Sequence, residues 1–142
     1  MNDIIVPVNL MAVFGAAVVS MIIGYFWYGP LFGKLWMKEM GMKGKMSEAA
    51  KQGMAKSYGI MFVGSLAMAY VLAHAIVFAS TYLKMTGVPG GLMSGFWNWL
   101  GFVAPVTLGS VLWEGKSMKL WVLNNGYYLL TLLAMGVILT SF

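Results

Sequence analysis

Cysteine is absent from the 142-residue chain. Disulfides, thiol catalysis and thiolate-held zinc or iron–sulfur sites are therefore excluded. Arginine is absent too, and all nine basic residues are lysine. Charged residues make up only 9%, against about 25% in an ordinary soluble domain. That is too few to solvate a globular surface, so lipid must cover much of the outside. The single histidine rules out a two-histidine haem or zinc site, and no cofactor is expected. A net charge of +5 can signal nucleic acid, but that reading wants a soluble basic face with arginines. No nucleic-acid partner is expected; the lipid bilayer is.

What is present is apolar: 61% of the chain. Uncharged runs cover about 6–28, 58–82, 92–113 and 120–139. Each is long enough to cross a bilayer about 30 Å thick as a helix. The period-2 alternation of a lipid-facing barrel is missing. The expected fold class is an all-α membrane protein, with four transmembrane helices in a single integral domain over 1–142. The first run is too long for the apolar part of a signal peptide and is expected to be retained.

Eight lysines lie between runs one and two or between runs three and four, and only Lys84 lies between runs two and three. The positive-inside rule then makes the loop over 29–57 and the third loop cytoplasmic, with both termini outside an inner cell membrane. Trp27, Trp36, Trp113 and Trp121 fall at the inner edge as interface anchors. Tyr82, Trp97, Trp99 and Phe142 fall at the outer edge. In the long loop, Ser47 is a candidate cap for a short helix from Glu48 to Lys56, with Glu48 and Lys51 paired. Lys43, Lys45, Lys51 and Lys56 could rest on anionic headgroups, at roughly 1 kcal/mol each; the plainer reading is a solvated linker.

Gly24 to Gly41 reads GYFWYGPLFGKLWMKEMG. Aromatic residues meet a Gly29-Pro30 break, then Lys34 and Lys38 follow, as where a membrane helix exits. With Trp99-Leu100-Gly101-Phe102 and Leu112-Trp113-Glu114, this stretch resembles the family called domain of unknown function 1761. The resemblance covers nearly the whole chain. It implies a small four-helix membrane protein of bacterial type and brings no agreed activity, so no site residue comes from it.

Trp27-Tyr28-Gly29 with Lys34-Leu35-Trp36 echoes Trp113-Glu114-Gly115 with Lys119-Leu120-Trp121. The echo suggests two parallel hairpin repeats. The competing reading is that helix exits everywhere favour these residues.

Helices in lipid associate through small residues. Ala12, Ala16, Ser20 and Gly24 make one stripe, Ser65, Ala69 and Ala73 a second, and Gly101, Pro105 and Gly109 a third. A tight bundle is expected, with a stripe to spare for a homo-oligomer or a membrane-complex partner. Pro105 is expected to kink its helix. Gly87 to Gly91 reads as a turn around Pro89. The fourteen methionines are read as flexible packing.

Polar groups within the spans are the functional leads. His74 and Asn98 are expected at similar depth and could share a hydrogen bond. The pair is then either a proton-sensitive or ligand-binding spot, or simply a satisfied histidine. Near the other end lie Tyr28, Glu114, Asn124 and Asn125. Glu114 is read as an interfacial ion pair with Lys116 or Lys119, or as a cation or headgroup ligand. No nucleophile has a base and an orienting acid near it, so an enzyme is not expected. The favoured class is small-solute or ion translocation by an oligomer. The alternative is an accessory, scaffold or lipid-binding subunit.

Overall fold

The computed structural model describes residues 6–42 and 48–142. Helix α1 spans Leu10–Phe26. Asn9 caps it, accepting from the N–H groups of Met11 and Ala12 at 3.0 and 3.3 Å, two of the donors that a helix start leaves free. The helix does not end at Gly29-Pro30. It widens into a single π turn over Trp27–Leu31. Pro30 has no N–H to return to the preceding turn, and a wider register takes up the gap. Phe32 N–H accordingly donates to Trp27 O at 2.8 Å. Helix α2, Gly33–Glu39, comes immediately after. A Cβ at Gly33 would stand 2.6 Å from Tyr28 O, so glycine is what lets α2 start so close.

Helix α3 runs from Glu48 to Tyr82. The expected short loop helix and the second span are thus one rod. Ser47, Lys43 and Lys45 lie outside the described residues, as do the side chains of Glu48 and Lys51. Helix α4, Gly87–Asn98, is joined by a second π turn, Trp99–Val103, to α5, Ala104–Trp113. The expected turn at 87–91 is helical. Gly87 has φ +67°, and Pro89 sits in the first turn, where a missing N–H costs nothing. The third span therefore begins five residues earlier than the sequence suggests. Helix α6, Met118–Ser141, is capped by Ser117, whose Oγ accepts from Leu120 N–H at 3.1 Å.

Among the described residues, four stretches are long and apolar enough to cross a membrane: Leu10–Leu31, Gly53–Tyr82, Gly87–Trp113 and Met118–Ser141. Helix α6 is the hub, packing against α1, α3 and α4. Val13 and Ala16 of α1, Ala69 and Leu72 of α3, and Leu132 and Met135 of α6 form the core. The first two small-residue stripes are buried at Ala12, Ala16, Ser20, Ser65, Ala69 and Ala73. Gly24 faces α6, where an added Cβ would lie 3.1 Å from the Tyr127 hydroxyl.

The third stripe is different. Gly101 and Pro105 are exposed and Gly109 is half-exposed, while Gly90, Gly91, Ser94 and Gly95 are buried. The π turn inserts an extra residue into the helical register, rotating the downstream half of the span by about 100°. The small face that packs is therefore the one before the turn. Pro105 stands in the first turn of α5, so its disturbance is taken up by the π turn immediately upstream.

The two echoing exits share letters but not backbone. Gly29 lies inside a π turn, whereas Gly115 has φ +72° in the turn between α5 and α6.

Candidate functional site

Beyond the second π turn, α5 rests on α6, and α3 meets the third span through α4 instead. A groove of about 390 Å³ opens between α5 and α6, toward the end that carries Glu114. Thr107 organises its wall. Its Oγ1 donates to Val103 O at 2.7 Å and accepts from Asn125 Nδ2 at 3.0 Å and Trp121 Nε1 at 3.2 Å. One proton and two lone pairs are then all in use. Asn125, buried, also donates to Trp121 O at 3.1 Å. Ser110 Oγ donates to Thr107 O at 2.8 Å one turn along.

The next residue round α6 reaches the other way. Asn124 Oδ1 accepts from the Tyr28 hydroxyl at 2.7 Å. Trp27 Nε1 donates to Leu123 O at 3.1 Å, and Tyr127 Oη to Ser20 O at 3.2 Å. The first π turn makes this possible, since it aims two successive aromatic residues at α6. The Trp27 ring lies over Gly126, where a Cβ would stand 2.9 Å from Cζ2. Tyr28 packs edge-on against Tyr127 at 5.2 Å and Trp36 at 5.9 Å. Tyr128 and Asn124 line the groove, so the aromatic cluster and the groove share a wall.

The family model described as protein of unknown function, DUF1761, matches residues 11–140. The chain belongs to this family. No match was found among curated proteins or among solved structures. In this DUF1761 member, the Trp-Tyr-Gly and Trp-Leu-Gly pieces of the resemblance both turn out to be π turns. Only the first gives its tryptophan N–H a partner: Trp99 packs against the core, but its Nε1 is buried with no partner among the described residues.

Of the candidate polar residues, Tyr28 and Asn124 are brought together, and Glu114 lies on the same groove as Asn124. Glu114 is exposed, at the groove mouth. His74 and Asn98 do not meet. His74 Nδ1 bonds Tyr70 O at 2.8 Å, and Asn98 Nδ2 donates to Ser94 O at 2.8 Å, each a carbonyl of its own helix. The early start of α4 explains this. Asn98 lies eleven residues beyond Gly87, about 16 Å, whereas His74 lies eight from Tyr82, about 12 Å. Asn98 thus falls level with Met68 and Leu72.

The tryptophans divide as well. Trp113 is 86% exposed. Trp27 and Trp121 instead use their N–H groups inside the bundle, and Trp36 packs on Tyr28. Sequence reasoning missed Thr107, Ser110, Tyr127 and Tyr128. The signal available was the pair Thr107 and Ser110, polar residues three apart on an otherwise apolar helix. Among the described residues, no three acidic or histidine side chains converge on a possible metal position.

Proposed function

We propose that this DUF1761 member is a non-enzymatic, multi-pass protein of the inner cell membrane that binds a small polar solute in the α5–α6 groove. The carrying observation is the Thr107 knot. Its bonds to Val103, Trp121 and Asn125 fix the groove wall before any ligand arrives, and preorganised polar walls are what binding sites need. The lysine distribution supports a cytoplasmic mouth, with both termini outside.

The rest of the bundle supports binding over conduction by one copy. Backbone contact between α4 and α6 at Gly91, Gly95, Leu132 and Gly136 fills the other half. Translocation by an oligomer is the second reading, favoured by the exposed face at Gly101 and Pro105 beside α5, which offers a second copy a place to sit.

A thermal-shift screen of small polar solutes tests the proposal. Gly109 lines the groove, and a Cβ there meets only Trp113 Cδ1, at an ordinary 3.7 Å. Gly109→Leu should fold and fill the site. A solute at a hundred times its Kd stabilises the wild type by about 2.7 kcal/mol, and that gain should vanish in the variant. An equal shift in both proteins would place binding elsewhere. Flux of the same solute into vesicles, dependent on an oligomer, would move the reading to transport.

A further inference from the structure

The groove has the opposite sign to the chain. Lysines outnumber acids by nine to four, yet the described lining holds the acid Glu114 and no lysine. Several of its neutral donors are already committed to the wall itself. Trp121 gives its only N–H to Thr107, Thr107 gives its proton to Val103 O, and the Asn125 amide goes to Thr107 and Trp121. What the wall can still offer is the aromatic side chains of Trp113, Trp121 and Tyr128, the Glu114 carboxylate, the second lone pair of Asn124 Oδ1, and the Asn124 amide and Tyr128 hydroxyl donors. Aromatic faces with one carboxylate and spare acceptors suit a cation that brings its own apolar shell. The groove volume of about 390 Å³ also lies in the range of small-molecule sites, about 300–1,000 Å³.

The geometry points to an organic ammonium ion, best a quaternary one, as the ligand of this groove; the assignment rests on the groove being a binding site at all. The ammonium sits against the rings with Glu114 as counter-ion. A free solute or the headgroup of a lipid could supply the same chemistry.

Wild type, Glu114→Gln and Trp113→Leu are titrated calorimetrically in maltoside micelles with choline, with its uncharged carbon isostere dimethylbutanol, and with glycerol. Both substituted side chains are exposed, so the fold should be kept, and circular dichroism melts check that. Choline should bind saturably, about tenfold more tightly than the isostere, and each variant should lose about fivefold, as expected for cation–π and exposed charge pairs. Isostere binding equal to choline binding, or choline affinity untouched by Glu114→Gln, overturns the ammonium assignment. Glycerol or isostere binding as tight as that of choline, and abolished by Gly109→Leu, would keep the groove as a site while the ammonium assignment falls. No saturable binding of choline also overturns the assignment, and the wider solute screen then decides the fate of the groove. Repeating the titration in phosphatidylglycerol nanodiscs with and without phosphatidylcholine assigns the source. Choline affinity that falls when the choline lipid is added supports a headgroup ligand; constant affinity supports a free solute.

Discussion

Gly91 of α4 and Gly136 of α6 cross backbone against backbone, so that a Cβ on either would run into the carbonyl oxygen of the other. One turn along, a Cβ on Gly95 would stand 2.6 Å from Leu132 O. The obstacle is main chain in each case and cannot rotate away. Helices in lipid gain little from hydrophobicity and depend on this close approach. Gly91→Ala should therefore cost at least about 2 kcal/mol, in the upper part of what overpacking costs. Gly101→Ala has open space around it and should change stability by less than about 0.5 kcal/mol, as an exposed substitution does. Unfolding in mixed detergent micelles measures both; equal losses would mean that the crossing does not hold the bundle.

A second expectation concerns Thr107. Thr107→Val keeps the shape but removes the acceptor of Trp121 Nε1 and Asn125 Nδ2. Leaving buried donors unpaired costs about 1–3 kcal/mol, whereas Thr107→Ser keeps the hydroxyl and should cost less. Pairing Thr107→Val with Asn125→Leu in a double-mutant cycle should recover part of the loss, because the orphaned amide is gone. Strict additivity would show that the two side chains are not coupled.

The fold class was legible because apolar run length alone decides it, and the stripes of α1 and α3 were legible because both helices keep one register. The third span was not legible, and the reason is local. Gly87-Val88-Pro89-Gly90-Gly91 has the composition of a turn. In a span its glycines serve helix crossing instead, and Pro89 is harmless in a first turn. That single misreading displaced Asn98 by more than a turn and created a false partnership with His74. The π turn then moved the packing face away from Gly101 and Gly109. No periodicity rule reports a one-residue register change. The Tyr28–Asn124 meeting was within reach, since both are polar groups at the same end of the bundle.

His74 stands apart from the groove once Asn98 is removed as its partner. It bonds the carbonyl of Tyr70 and packs on the Tyr70 ring at 4.5 Å, far along α3 from the groove. His74→Ala should shift stability by less than about 0.5 kcal/mol and leave the solute response unchanged. A lost thermal shift in this variant would tie His74 to the site through a route other than contact.

Ser117 serves two elements with one hydroxyl. Its Oγ accepts from Leu120 N–H at 3.1 Å, capping α6, and donates to Glu39 Oε2 at 2.7 Å, holding the end of α2. The Glu39 carboxylate thereby stands at the positive end of the α6 dipole. Three substitutions separate the roles. Ser117→Ala removes both bonds and should cost about 1 kcal/mol for the cap. Glu39→Ala keeps the cap and frees α2. Ser117→Asp also keeps a capping oxygen but sets a second carboxylate against Glu39. Hydrogen exchange reads the outcome by segment. Glu39→Ala and Ser117→Asp should raise exchange over residues 33–39 alone, and Ser117→Ala should raise it there and in the first turn of α6. Unchanged exchange over 33–39 in all three would mean that α2 is held by the Trp36–Tyr28 packing and not by the Glu39 contact.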